Sequence, residues 1–274
     1  MRTFRTVAEI RRHVVPLGER STVALVPTMG ALHDGHVALF RAARACDGHV
    51  VATIFINPTQ FNDPADFAAY PREGERDRAI AAEAGVHTLF EPSIEEIYPP
   101  GDATLVDVRG AALGFEGAFR EGHFRGVATV CLKLFNIVRP HMAFFGQKDA
   151  QQVAVIRQVV RDLRLDLQIQ VVPTVRDPDG LALSSRNVRL SSEERRRALA
   201  IPRGLRAGLA AHRASEDPAA AALAELEGLE VDYAGVADFD GEATLVIAAC
   251  SGPTRLIDNV PLDHPERAGL ELPV

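Results

Sequence analysis

Four short blocks of this chain carry residues suited to phosphate chemistry. His33 and His36 bracket Asp34 and Gly35 in HDGH, just after an apolar stretch and at an expected helix start. A helix start offers free N–H groups and a partial positive charge, so it attracts phosphate. Two imidazoles there add donors for a phosphate whose charge is growing, and Gly35 leaves room for close approach of a ligand. The same H-x-x-H could be a satisfied surface turn or half of a metal site, but no nearby Cys or Glu cluster offers zinc a third ligand. Lys148 stands at a second such position, in the block GQKD at 146–149. Its alternative is an exposed Lys beside a helix-capping Asp149. In DGLALSSRN, at 179–187, the pair Ser184 and Ser185 with Arg186 suits the outer phosphates of a nucleotide, or forms a polar turn. NPTQF at 57–61 and the pair Gln151 and Gln152 supply amides that could hold a small ligand bearing hydroxyl and carboxylate groups, or lie on the surface.

The lysine count sharpens one of these. Of 30 basic residues only Lys133 and Lys148 are Lys, and the other 28 are Arg. A Lys kept in so Arg-rich a chain marks a place where a compact ammonium serves and a planar fork does not. Lys133 falls mid-helix, where a structural salt bridge is the default reading. The His residues outside HDGH read as surface or structural at 13, 49, 87, 141, 212 and 264. His123, close to Arg120 and Arg125, could approach a phosphate or carboxylate.

These blocks need elements to position them. Thr6 and Glu9 have capping-box spacing and predict an opening helix. Residues 22–28 and 49–56 read as buried strands, with a helix over VALFRAARAC between them. A helix over ERDRAIAAEAG stops at Gly85, and VHTLFEP is a strand. The segment 110–126 holds five Gly and reads as a loop. A helix follows over 127–138, ended by Pro140, then strand MAFFG, helix DAQQVAVIRQVVRDL and strand LQIQVVPTV. This alternation over 1–175 predicts an α/β domain with a parallel sheet covered on both faces. In such sheets ligands bind beyond the carboxyl ends of the strands, where the order reverses, and HDGH, NPTQF and GQKD all follow strands. From 176 to 274 the style changes. Ser191 and Glu194 open a long Ala/Arg-rich helix, Asp217 and Pro218 open another, and VDYAGVAD, ATLVIAAC and TRLIDNV read as strands. That segment predicts a smaller α+β domain.

Composition excludes several classes. The 274 residues are 47% hydrophobic with a net charge of −7, so the chain reads as a folded cytoplasmic protein and not as a general nucleic-acid binder. No apolar run reaches the roughly 18 residues of a membrane span, and the N-terminus has no signal-peptide core. Three scattered Cys make neither a zinc knuckle nor a disulfide framework.

Two His, a Lys and a mobile Ser-Ser-Arg loop together resemble the split signature of class I nucleotidyl-transferring enzymes, which break ATP between its α and β phosphates. Placed in order, longer blocks resemble one family, the pantoate–β-alanine ligases. They are PTMGALHDGH, IFINPTQF, YPR, EGHFRGV, FFGQKDAQQ, VPTVRDPDGLALSSRN and TRLIDN. They span nearly the whole chain, and seven ordered blocks are far more specific than any one motif.

The resemblance implies a Rossmann-like, class I nucleotidyltransferase domain, a smaller C-terminal lid domain, and a homodimer. It implies that ATP with Mg2+, (R)-pantoate and β-alanine are the substrates, that the product is pantothenate, and that pantoyl adenylate is the intermediate. It implies no tightly bound organic cofactor, no nucleic acid and no membrane. His33, His36, Lys148, Ser184, Ser185 and Arg186 are the implied catalytic group, with His36 as proton donor. Met29, Gly30, Ala31, Leu32, His33, Asp34, Gly35 and His36 are implied to line the ATP site. So are Gly146, Gln147, Lys148, Asp149, Val175, Leu183, Ser184, Ser185 and Arg186. Gln60, Gln152 and Asn57 are implied to hold pantoate, and Gln60 also to face β-alanine. Tyr70 and Arg120 lie near the substrates by the same match.

The chain departs from the family pattern at Gln147, where Glu is common, and at Ala150, where an aromatic is common. Arg76 interrupts the acidic run after YPR, so the protein ligands of Mg2+ stay unassigned. Related transferases would share HDGH and SSRN without needing the NPTQF and AQQ amides. A class I tRNA-synthetase-like enzyme would carry an anticodon-binding domain and a basic face. A nucleotide sensor without catalysis would have lost His36 or Lys148.

Overall fold

The computed structural model describes residues 1–270; the last four positions of the expected second domain, 271–274, lie outside the described residues. The chain divides into two compact units. The first comprises Met1–Leu32, His36–Phe145 and Gln151–Val172, and the second His33–Gly35, Gly146–Ala150 and Pro173 onward.

Six strands build the first unit: β1 (Arg2–Phe4), β2 (Val23–Thr28), β3 (His49–Ile54), β4 (Thr88–Phe90), β5 (Met142–Gly146) and β6 (Gln168–Val172). They form one sheet in the order β1-β4-β3-β2-β5-β6. β1 with β4, β4 with β3, β3 with β2 and β2 with β5 all pair in parallel. Successive strand residues face opposite sides, and the core follows that alternation. Val23 and Leu25 join Phe90, Phe145 and helices α1 (Val7–Gly18) and α7 (His123–Val138) in one cluster. Ala24 and Val26 join Phe40, Ala81 and Phe144 in the other, with α2 (Asp34–Arg44) and α4 (Gly74–Glu83) supplying the helix side. Between these lie α3 (Pro64–Ala68), α5 (Ile94–Ile97) and α6 (Phe115–Phe119), and α8 (Ala150–Asp162) precedes β6. From β2 the chain proceeds to β3 and β4 on one side, then returns to β5 and β6 on the other. The order therefore reverses between β2 and β5, the two strands followed by HDGH and GQKD.

In the second unit α9 (Ser192–Ala198), α10 (Ala200–Arg213) and α11 (Pro218–Ala224) precede an antiparallel sheet. Its strands are β7 (Glu230–Phe239), β8 (Glu242–Ser251) and β9 (Thr254–Pro261). Ile201, Leu205 and Leu209 of α10 pack on Leu245 and Ile247 of β8, each at most 1% exposed.

The two capping boxes form as expected, Thr6 with Glu9 and Ser191 with Glu194. Three expectations are corrected. The segment 110–126 is not a loop throughout: α6 occupies its middle and α7 already starts at His123. Gly122, at φ +76°, lets the chain reverse between two helices, so the glycines space helices there rather than exclude them. The long Ala/Arg-rich helix is two helices broken at Leu199, because Pro202 lacks the N–H that would carry α9 onward. The helix after HDGH starts earlier, at Asp34.

At the N-terminal ends of the strands, three His rings cluster beside Thr88. His49 Nε2 lies 2.8 Å and His13 Nε2 3.1 Å from Thr88 Oγ1. The His49 and His87 rings stack at 4.8 Å, and the Val50 N–H donates to His87 Nδ1 at 2.9 Å. Burial, then the neighbouring His87 and His13, push the pKa of His49 down to about 4. Burial lowers His13 and His87 as well, aided by Arg2 beside the first and Arg44 beside the second. The folded state thus binds fewer protons than the unfolded chain, whose His titrate near 6.5. The stability these rings contribute is complete above about pH 6.5 and is lost as pH falls toward 4. Urea midpoints are expected to fall between pH 7 and 5, and to fall less for His49→Gln; equal slopes for both proteins would refute the assignment.

Candidate active site

The candidate residues fall into two groups, one in each unit. In the first unit β2 ends at Thr28 and the chain turns through Met29, Gly30, Ala31 and Leu32. Gly30 and Ala31 have φ of +82° and +52°. Asp77, 1% exposed at the first turn of α4, holds this turn. Its carboxylate accepts the Ala31 N–H at 2.9 Å and the Leu32 N–H at 2.8 Å. A Cβ on Gly30 would stand 2.8 Å from Asp77 Oδ2, so the clamp and the glycine need each other. Arg76, which interrupts the acidic run, points to Glu73 instead. His36 is half-buried in the first turn of α2.

After β3 the block NPTQ forms a single tight helical turn over Pro58–Gln60. Asn57 is 1% and Gln60 9% exposed. Asn57 Nδ2 donates to Gln60 Oε1 and to the Gly126 carbonyl, both at 3.1 Å. Gln60 Nε2 donates to Met29 Sδ at 3.0 Å. The Gln60 carbonyl accepts from His123 Nδ1 at 2.9 Å and from Arg120 Nη2 at 3.4 Å. Arg120 Nη1 lies 3.2 Å from His123 Nε2, and His123, donating from Nδ1 to the Gln60 carbonyl, braces the turn. Helix α7 approaches so closely that a Cβ on Gly126 would be 2.3 Å from the Thr59 carbonyl oxygen. Gln152 is half-buried on α8, whereas Gln151 is consumed structurally. Gln151 Nε2 donates to the carbonyls of Ala111, Leu113 and Gly114, and Oε1 accepts the Glu116 N–H. Tyr70, 6% exposed, packs edge-on to Phe61.

The second unit holds His33, Asp34, Gly35, Gly146, Gln147, Lys148, Asp149, Val175 and the loop from Leu183 to Arg186. The Gly35 N–H donates to His33 Nδ1 at 3.2 Å, which leaves the ring proton on Nε2. Burial and then the Lys148 ammonium push the His33 pKa down to about 4, against the pull of Asp149, Asp34 and Asp177. His33 is therefore a neutral donor at pH 7. Lys148 Nζ lies 3.6 Å from Asp149 Oδ1. Asn259 of β9 fixes the turn that carries Lys148: its Nδ2 donates to the Gln147 carbonyl at 2.9 Å and the Lys148 carbonyl at 2.8 Å. Gln147 Nε2 donates to Asn259 Oδ1 at 3.0 Å, a bond that a carboxylate at 147 could not donate.

The SSRN loop is tied at its base. Arg176 pairs with Asp258 through Nη1 at 2.6 Å and Nη2 at 3.0 Å, with side chains only 5% and 2% exposed. Arg195 bonds Asp177 at 2.6 Å and Asp179 at 2.8 Å. The Leu183 N–H reaches the Val175 carbonyl, and Ser184 Oγ caps the short turn Ser185–Arg189. Asp77, Arg176, Asp258 and Asn259 were not singled out by residue type or spacing, although three of the four lie in blocks that carry the family resemblance.

Comparison with known proteins matches these blocks as a whole. The Pantoate-beta-alanine ligase family model matches residues 2–261. The chain belongs to the pantoate–β-alanine ligase family. Pantothenate synthetase of Moorella thermoacetica is 47% identical over 96% of this chain and 99% of its own length. That of Acidiphilium cryptum is 50% identical over 95% and 99%. The crystal structure of the Thermus thermophilus synthetase superposes with a TM-score of 0.90 at 44% identity, covering 96% of this chain and 99% of that one. A ligase from Francisella tularensis, whose structure holds β,γ-ATP and β-alanine, gives 0.81 at 33% identity over 96% and 98%. As a pantoate–β-alanine ligase the chain is an enzyme of pantothenate biosynthesis that condenses pantoate with β-alanine. Its fold is the expected Rossmann-like parallel sheet with a smaller α+β part. Among the described residues no helix is long and apolar enough to cross a membrane.

Proposed function

We propose that the condensation runs through pantoyl adenylate. A pantoate carboxylate oxygen attacks the α-phosphorus of ATP and pyrophosphate leaves. The β-alanine amine then attacks the acyl carbon, loses a proton, and AMP leaves. A bare carboxylate would have to expel oxide, so the first step supplies a leaving group. The observation that carries this reading is topological: HDGH and GQKD follow β2 and β5, the neighbouring strands at which the sheet order reverses. The ligase from Francisella tularensis, with its nucleotide and β-alanine, supports ATP and β-alanine as substrates.

In this reading the turn from Met29 to Leu32, with His33, Asp34, Gly35 and His36, cradles ATP together with Gly146, Gln147, Lys148, Asp149, Val175 and Leu183. His33, His36, Lys148, Ser184, Ser185 and Arg186 stabilise the charge that builds on the phosphates, with His36 giving the proton. Preorganised donors of this kind are each worth roughly 3–4 kcal/mol. Gln60, oriented by Asn57, holds pantoate with Gln152 and faces β-alanine. The loop 178–187, in the domain from residue 176, keeps water from the adenylate. Mg2+ would ride mainly on ATP phosphates and water, as suits an ion that takes few protein ligands. Among the described residues no group of three His, Cys, Asp or Glu is placed to hold a metal ion, and both Asp77 oxygens are engaged by backbone. A cytoplasmic homodimer completes the proposal.

The test is pyrophosphate release from Mg-ATP with (R)-pantoate, with and without β-alanine. A burst limited to one equivalent without the amine, becoming steady turnover with it and absent in His36→Ala, is the expected result. Steady turnover that needs β-alanine from the first equivalent would overturn the adenylate.

A further inference from the structure

Lys133, Tyr98, Asn57 and Gln60 form one chain of contacts that ends on the amide assigned above to pantoate. Lys133 Nζ donates to the Ile97 carbonyl at 2.8 Å and to Asp102 Oδ2 at 2.7 Å, and lies 4.6 Å from the centre of the Tyr98 ring. A compact ammonium can serve a carbonyl, a carboxylate and a ring face at once, which a planar guanidinium does poorly. The backbone before Tyr98 and the ring itself are thereby pinned. The Tyr98 hydroxyl donates to Asn57 Oδ1 at 2.8 Å and lies 3.1 Å from Thr59 Oγ1. Thr59 Oγ1 also donates to Asn57 Oδ1, at 2.9 Å.

An amide has an oxygen end that only accepts and a nitrogen end that only donates. With donors gathered on Asn57 Oδ1, its Nδ2 must face Gln60, and Gln60 must turn its oxygen toward Asn57. The nitrogen of Gln60 is then the end left over. It rests on Met29 Sδ, a weak acceptor that a carboxylate or hydroxyl oxygen displaces readily.

We propose that Tyr98 is a positioning residue that, together with the Thr59 N–H and hydroxyl on Asn57 Oδ1 and the Gly126 carbonyl on its Nδ2, holds the polarity of this relay, so that Gln60 presents a donor, and only a donor, to an oxygen of the acid substrate. The inference rests on the assignment of Gln60 to pantoate. Burial raises the Tyr98 pKa above its ordinary range, so the hydroxyl keeps the proton it donates throughout the assay range.

Steady-state kinetics of Tyr98→Phe, Gln60→Ala and the double variant test the relay. Loss of one donor is worth about 1 kcal/mol, so Tyr98→Phe is expected to raise the pantoate KM about fivefold. Its ATP KM should be unchanged, and its melting temperature should fall by no more than a few degrees, the cost of one hydrogen bond in a chain of this size. In the Gln60→Ala background the same substitution is expected to do nothing. A Tyr98→Phe enzyme with normal pantoate KM, or one whose ATP and pantoate KM rise together, overturns the relay while leaving Gln60 in place. So does a Tyr98 effect that persists without Gln60. A Gln60→Ala enzyme with normal pantoate KM overturns the assignment of Gln60, and the relay falls with it.

Discussion

Replacing Lys148 with Ala is expected to slow pyrophosphate formation about 10²–10³-fold, the usual cost of removing one preorganised donor from a developing charge. The residue sits on a turn after β5 whose backbone is held from behind by Asn259, so its ammonium is placed by structure that the substitution does not touch. Lys148→Arg is not expected to restore the rate, because a planar guanidinium cannot occupy the same compact position. A second readout is independent of turnover. The ammonium is the second cause, after burial, of the low His33 pKa. Lys148→Ala should therefore move the His33 titration upward from about 4, but not as far as the ordinary 6.5, since burial persists. A histidine NMR titration checks this directly. An unchanged His33 with a near-normal rate would remove Lys148 from the phosphate machinery.

How much of this was legible beforehand follows from how far apart the partners lie in the chain. Thr6 with Glu9 and Ser191 with Glu194 are three residues apart, and both capping boxes form. The buried strands before HDGH and NPTQF show their apolar runs locally, and so do the turns that end them. The switch between β2 and β5 was legible only as an alternation of elements; the strand order itself depends on tertiary pairing. The braces were not legible at all. Asp77 meets Ala31 across 46 positions, Arg176 meets Asp258 across 82, and Gln147 meets Asn259 across 112. No periodicity spans such distances. The same reason hid Tyr98, which reaches Asn57 across 41 positions. The Gly-rich stretch 110–126 misled because glycine signals a reversal, and a reversal can join two helices as well as fill a loop.

The acidic run after YPR gives the second large effect. Read as sequence it suggested a metal-binding loop weakened by Arg76; in the structure Asp77 turns inward and grips the turn from Met29 to Leu32. Asp77→Ala would orphan the buried N–H groups of Ala31 and Leu32, a cost of about 2 kcal/mol or more. It would also leave Gly30 and Ala31 without the anchor that fixes their left-handed backbone. The ATP KM is expected to rise at least about tenfold, the kinetic equivalent of about 1.4 kcal/mol, and the melting temperature to fall. Asp77→Asn should sit between the two, since an amide accepts one of the N–H groups but turns its own NH2 on the other. Titration with Mg2+ separates a clamp from a metal ligand. A clamp is not replaced by more metal, so the Asp77→Ala defect should persist at saturating Mg2+. Recovery of the ATP KM at high Mg2+ would instead return this carboxylate to the metal, and the turn from Met29 to Leu32 would then need another anchor.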